Sequence, residues 1–204
     1  SDKGRLVGDP MYDAFIKYGR KRKLEDISLV MLDGNECTVP LEFYYLTCHR
    51  EENTKDQNLL EILKAMEQLK SPTVYPVHPR NRERVLRLKE RFQKILFTEP
   101  VGYLESICLI NHTKKIVTDS GGLQREAFFA RKKCVTVLDF VCWPETMVDG
   151  RNELAQPNSE EILNKLEKEQ RIKKDYQPFG DGHAAEYIVD ALVQSETSQV
   201  CSRK

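Results

Sequence analysis

The sequence predicts an α/β fold built on a doubly wound, mainly parallel β-sheet. Two patterns carry this. Short apolar runs of strand length alternate with segments of helical periodicity, and the order strand–helix repeats along most of the chain. Such sheets bind their ligands outside the carboxyl ends of the strands, so the loops that follow strands carry the functional reading.

Glu42–Cys48 (EFYYLTC) is aromatic, apolar and short, and reads as a buried strand. Thr54 and Gln57 have capping-box spacing and should open a helix, with Leu59, Ile62, Leu63, Met66 and Leu69 on one apolar face. Ser71-Pro72 ends it, and Thr73–Val77 is the next strand. Asn81–Lys94 reads as a helix with Val85, Leu88 and Phe92 inward, leading into a strand at Lys94–Phe97. Tyr103–Asn111 is helical, Lys115–Thr118 a strand, Leu123–Arg131 a helix and Cys134–Asp139 a strand. Ser159–Lys168 is a surface helix with Ser159 as its N-cap and two glutamates in its first turn. A terminal helix, Ala184–Val193, follows Gly180-Asp181-Gly182.

Composition narrows the function classes. Lys+Arg and Asp+Glu both number 32, so the formal net charge is zero and nothing pulls the whole molecule toward nucleic acid or an anionic membrane. The basic runs Lys17–Lys23 and Arg80–Lys94 lack interleaved base-stacking aromatics and read as solvated faces. No apolar run approaches the roughly 20 residues of a membrane span, and the charged N-terminus is not followed by the apolar stretch of a signal peptide. The six cysteines are widely spaced without a C-x-x-C pair, so neither a zinc site nor a disulfide framework is indicated; Cys48, Cys108 and Cys134 read as small core residues. A cytoplasmic protein is expected, with neither nucleic acid nor membrane as partner.

Three loops collect the unusual residues. Thr118-Asp119-Ser120-Gly121-Gly122 runs from a strand into a helix. Two glycines for a tight turn, a serine hydroxyl and the free amides of a helix N-terminus suit a phosphate, and Gln124 and Glu126 follow in the first turns, where a carboxylate could accept from a ribose diol. The plain alternative, an N-cap serine with two turn glycines, is equally consistent with the spacing alone. Thr47-Cys48-His49-Arg50-Glu51-Glu52-Asn53 sets an imidazole, a guanidinium, carboxylates and an amide just past a strand, where Arg50 could clamp an anion; otherwise it is a solvated loop. His78, after the next strand, is by itself more often a structural histidine. The ten glycines nowhere form G-x-G-x-x-G, which excludes the usual dinucleotide fingerprint.

Taken in order, these segments resemble the C-terminal half of the non-hydrolysing UDP-N-acetylglucosamine 2-epimerases. The resemblance runs through Val7-Gly8-Asp9-Pro10-Met11-Tyr12-Asp13, Thr47–Asn53 (the family's His-Arg-x-Glu-Asn loop), Tyr75-Pro76-Val77-His78-Pro79 and Thr118–Glu126, and closes with Pro144-Glu145 and Pro178–Ala184. It implies a GT-B architecture, two Rossmann-like domains with a cleft between them, of which residues 1–204 would be the UDP-binding half. It also implies roles. Ser120, Gly121 and Gly122 would bind the diphosphate and Glu126 the ribose; the loop at Tyr103–Ser106 would border the uracil, and His49 would approach the sugar phosphate as the catalytic residue of this half. Arg50, Glu52, Asn53 and His78 would face a substrate or regulatory UDP-sugar in the cleft. The implied reaction interconverts UDP-N-acetylglucosamine and its manno epimer, for surface polysaccharide precursors, by eliminating UDP and adding it back to a 2-acetamidoglucal, with no metal or cofactor. The carboxylate base that removes the C2 proton would lie on an N-terminal half outside these 204 residues, so the isolated chain is expected to be inactive.

There are departures from the pattern. Leu138, Cys142 and Trp143 stand where many members carry arginine, glutamate and arginine, and Arg125 where an acidic residue is common. These leave open an epimerase for a diacetamido-uronic acid UDP-sugar. A GT-B glycosyltransferase domain is the other enzymatic alternative, and a stand-alone nucleotide-sugar-binding domain the non-enzymatic one. The terminal helix carries Ala184, Ala185, Ile188, Ala191 and Leu192 with Tyr187 beside them, a stripe wide enough to expect packing on the other half or on a second copy, hence a homodimer.

Overall fold

The computed structural model describes residues 4–19, 21–148, 150–168 and 175–201. Six strands form one parallel sheet. In chain order they are β3 (Tyr44–Thr47), β4 (Thr73–Pro76), β5 (Ile95–Thr98), β6 (Lys115–Thr118), β7 (Lys133–Val137) and β8 (Asn152–Ala155), and in space the order is β5-β4-β3-β6-β7-β8. The chain winds outward from β3 to one edge, returns to β6 and winds to the other edge. This is the doubly wound Rossmann order, and its switch point lies between β3 and β6. Ahead of the sheet, β1 (Ser28–Val30) and β2 (Glu36–Thr38) form a small antiparallel hairpin.

Both faces of the sheet are covered, which is why strands β3 to β7 are largely apolar rather than alternating. Tyr45, Val74, Ile116 and Cys134 make a row on one face, against helices α1 (Pro10–Tyr18), α4 (Tyr103–His112) and α5 (Gly121–Phe129). Leu46, Tyr75, Val117 and Val135 make the row on the other, against α2 (Asp56–Glu67), α3 (Arg82–Leu88) and α6 (Ser159–Glu167). Cys48, Cys108 and Cys134 are buried in these layers.

Several local expectations need correction. Thr54 does not cap α2; its hydroxyl donates to Glu51 O in a preceding 3-10 turn, and Lys55 stands at the cap without a side-chain bond. The predicted Asn81–Lys94 helix is divided into a 3-10 turn, α3 and a second 3-10 turn at Lys89–Arg91. Asn158, not Ser159, caps α6, its Oδ1 accepting from Glu161 N at 2.9 Å. The strands at 42–48 and 134–139 are each shorter than their apolar runs. Helix α1, the hairpin and β8 were not anticipated.

The last helix, α7 (Ala184–Cys201), is longer than expected. The Asp13 carboxylate of α1 caps it, accepting from Ala184 N at 3.1 Å and Ala185 N at 2.8 Å. Nearby, Gly8 and Gly180 sit back to back at φ +91° and +88°; a Cβ on Gly180 would lie 3.0 Å from Gly8 Cα. Asp9 N donates to Phe179 O at 3.0 Å, so the first and last motif segments of the sequence are clasped together. Beyond the cap, Tyr187, Val189, Leu192 and Val193 of α7 are exposed.

Candidate active site

The site grows out of the switch point. The ends of β3 and β6 are tied by a 2.7 Å bond between the hydroxyls of Thr47 and Thr118. One residue on, Asp119 is 1% exposed and its carboxylate organises the loop after β3. Oδ2 accepts from His49 N at 2.9 Å and Arg50 N at 2.8 Å, and Oδ1 accepts from His49 N at 3.1 Å and faces His49 Nδ1 at 3.0 Å. Burial pushes the Asp119 carboxyl up, but the hydrogen bonds from His49 and Arg50 outweigh it and hold the group below its ordinary value.

Helix α5 opens beside this loop. Ser120 is its N-cap, with Oγ accepting from Leu123 N at 3.3 Å. Gly121 and Gly122 are its first two residues, and neither has a positive φ, so they are not turn glycines. Gly121 serves close approach instead: a Cβ there would lie 3.3 Å from Trp143 Nε1 and 3.5 Å from the Cys142 side chain. The opening amides of a helix have no intrahelical partner and sit at the positive end of its dipole.

His49, His78, Ser106 and Ser120 line one cavity of about 250 Å³, floored by Tyr45 and Leu123. The two imidazoles lie 5.6 Å apart between centroids. His78 Nδ1 accepts from Arg80 N at 3.2 Å; desolvation, then the neighbouring His49 and Arg80, lower its pKa. Tyr103 and Ser106 are in the first turn of α4, the helix expected at Tyr103–Asn111, where Ser106 Oγ meets the buried Tyr45 hydroxyl at 3.1 Å. Glu126, from the second turn of α5, is 6% exposed and lies near the half-exposed Tyr103 phenol. Desolvation pushes its pKa up to about 7, although Arg125 and the nearby Tyr103 phenol pull the other way.

The remaining residues of the His49 loop are placed differently. Arg50 Nε donates to Asp119 O at 2.9 Å and its guanidinium lies 5.2 Å from the Phe140 ring. Asn53 is buried, with Nδ2 donating to Val137 O at 2.8 Å. Asn53 and the exposed Glu52 border a second cavity, with Asp139 and Gln156, beyond β7. The cavity at His49 includes neither.

Two features escaped the sequence reading. Asp119 has no part that its place in the motif reveals. Arg125 and Trp143 are departures from the family pattern in the sequence; in the structure the guanidinium stacks 4.1 Å from the indole centroid and Nη1 pairs with Asp9 Oδ2 at 2.6 Å. The unusual arginine and the unusual tryptophan are therefore partners, placed beside Gly121 at the mouth of α5.

Comparison with known proteins agrees with this geometry. The family described as UDP-N-acetylglucosamine 2-epimerase matches residues 3–193. A UDP-N-acetylglucosamine 2-epimerase homolog of Methanococcus maripaludis is 37% identical over 194 residues, 91% of this chain and 53% of that protein. The UDP-2,3-diacetamido-2,3-dideoxy-D-glucuronate 2-epimerase of Pseudomonas aeruginosa is 34% identical over 92% of this chain and 52% of its own length. Among solved structures, the UDP-GlcNAc 2-epimerase of Methanocaldococcus jannaschii in complex with UDP-GlcNAc and UDP superposes with a TM-score of 0.74 at 29% identity, over 93% of this chain and 54% of that one. The sheet is thus the Rossmann-like domain of a GT-B fold. The chain spans about half the length of the curated relatives it matches. With that sheet, that switch-point site and a match over 3–193, the chain belongs to the UDP-N-acetylglucosamine 2-epimerase family.

Proposed function

We propose that residues 1–204 are the nucleotide-binding half of a UDP-N-acetylglucosamine 2-epimerase. The observation that carries this is the convergence, at the β3/β6 switch point, of a helix N-terminus capped by Ser120, an Asp-backed His49 and a buried Glu126. The diphosphate sits on the amides of Gly121 and Gly122 and the Ser120 hydroxyl. Glu126 accepts from the ribose, the first turn of α4 with Tyr103 and Ser106 borders the base, and His49 faces the sugar phosphate. Donors fixed in advance stabilise the charge that grows on UDP as its bond to C1 breaks. Arg50, Glu52, Asn53 and His78 belong to the cleft side of the same half. The C2 base is supplied by the other half, on which α7 packs; the complete enzyme is cytoplasmic and dimeric.

Calorimetry tests this directly. UDP should bind the 204-residue chain, and Ser120→Ala and Glu126→Ala should each weaken it by about 1–3 kcal/mol. The chain alone should not interconvert UDP-N-acetylglucosamine and its manno epimer. Wild-type affinity in both variants would move the site elsewhere, and epimerisation by the chain alone would place the base within it. A second reading, action on a diacetamido-uronic acid UDP-sugar, is favoured by the Pseudomonas relative. Competition of each UDP-sugar against UDP for the full-length enzyme separates the two, and sugar transfer only when an acceptor is added would mark a glycosyltransferase instead.

A further inference from the structure

The Asp119 carboxylate does more than tie a loop. Its two oxygens have unequal duties. Arg50 N at 2.8 Å, His49 N at 2.9 Å and Asn53 Nδ2 at 3.4 Å converge on Oδ2, whereas Oδ1, which takes only the longer branch from His49 N at 3.1 Å, is the atom that faces the His49 ring. A carboxylate cannot donate, so a ring nitrogen 3.0 Å from it must carry the proton. That nitrogen is Nδ1, and the ring lines the cavity whose other walls are Ser120, Ser106 and His78. We propose that Asp119 is a positioning residue that holds His49 with its proton on Nδ1, so that Nε2 is the nitrogen presented to a bound pyrophosphate.

The consequence is chemical. With Nδ1–H committed to Asp119, Nε2 of the neutral ring offers a lone pair to the cavity. Only the doubly protonated ring can donate from Nε2 to an anion, and Asp119 would then face it with the opposite charge. No other bond is made or broken. The remaining charged neighbours are the Arg50 guanidinium, whose Nε is engaged by Asp119 O at 2.9 Å, the His78 ring, and Arg80, whose Nη1 donates to His49 O at 2.9 Å. Asp119 is the carboxylate that faces this ring, at 3.0 Å from Nδ1, so the tautomer depends on it. The part of the proposal that concerns pyrophosphate rests on the UDP-binding reading; the part that concerns the free ring does not.

Asp119→Asn makes the test sharp. The three donors at the Oδ2 position keep the amide oxygen there, which turns the NH2 toward His49 Nδ1. That nitrogen must then become an acceptor, and the ring proton moves to Nε2. Nitrogen-15 NMR of the 204-residue chain reads both nitrogens. At pH 8 the wild-type ring should show a protonated Nδ1 and a bare Nε2, with the reverse in Asp119→Asn. Asp119→Asn should weaken UDP about tenfold, but should add nothing in a His49→Gln background, as a double-mutant cycle requires of a residue acting through the ring. A wild-type ring protonated on Nε2 alone overturns the proposal, and this arm needs no variant to fold. So does an Asp119→Asn protein that keeps the wild-type tautomer, or an undiminished Asp119→Asn effect without His49. A wild-type chain that binds no UDP defeats the nucleotide reading, while Nδ1–H in the free protein would still support the part given to Asp119.

Discussion

Glu126 is a carboxylate whose burial should be measurable as a pH-dependent stability. In the folded chain it is 6% exposed and its pKa stands at about 7, against an ordinary 4.5. Below pH 4.5 it is protonated in both folded and unfolded chains and has no effect on the balance. Between 4.5 and about 7 the unfolded chain ionises while the folded one does not, so stability falls as pH rises and levels off above about 7. The gap, at about 1.36 kcal/mol per pH unit, corresponds to about 3 kcal/mol. Glu126→Gln preserves the shape but cannot ionise. Urea denaturation of both proteins at pH 4.5 and 8 cancels every other titrating group in the difference. The wild type should lose about 3 kcal/mol more than Glu126→Gln between these two conditions. Equal losses in the two proteins would refute the reasoning and mean that Glu126 is solvated or ion-paired in solution.

Two further outcomes are expected. Gly180→Ala forces a Cβ to 3.0 Å from Gly8 Cα at a φ of +88°, and should lower stability by about 1–3 kcal/mol, read from the urea midpoint, with the sheet intact. Asp13→Ala removes the cap of α7 and should cost about 0.5–2 kcal/mol; hydrogen exchange should speed up at Ala184–Tyr187, and any dimer seen by light scattering should weaken if it is held through α7.

The parts of the fold legible in the sequence were those fixed by local apolar pattern. Strands β3 to β7 are sandwiched between helices, so they read as continuous apolar runs. Strand β8 does not: Asn152 and Glu153 occupy half of it, and their polar groups are met by Thr136 and Lys133 of the neighbouring strand, partners invisible before pairing is known. Other misses had local signals. Asp9-Pro10 is a cap followed by proline at the first helical position, with Asp9 Oδ1 accepting from Met11 N at 2.9 Å. Asp33-Gly34, with Gly34 at φ +88°, marked the hairpin turn. At the site, Ser120 and Glu126 stood out because both lie on one helix that begins where a strand ends. Asp119 did not, because its partners are 69 and 70 positions away and meet it only once β3 and β6 are neighbours. Arg125 and Trp143, 18 residues apart in number, likewise became intelligible only as a stacked pair.

The clasp of Gly8 on Gly180 has a mechanical meaning. Tension applied across the two ends of the described chain would pass through the Asp9–Phe179 bond and the Asp13 cap before it reached any strand of the sheet. The same Asp9 holds Arg125, one turn along the helix that Ser120 begins. A pull that opened the clasp would therefore be felt at the mouth of α5, making this junction a strain gauge wired to the helix end proposed to hold the diphosphate.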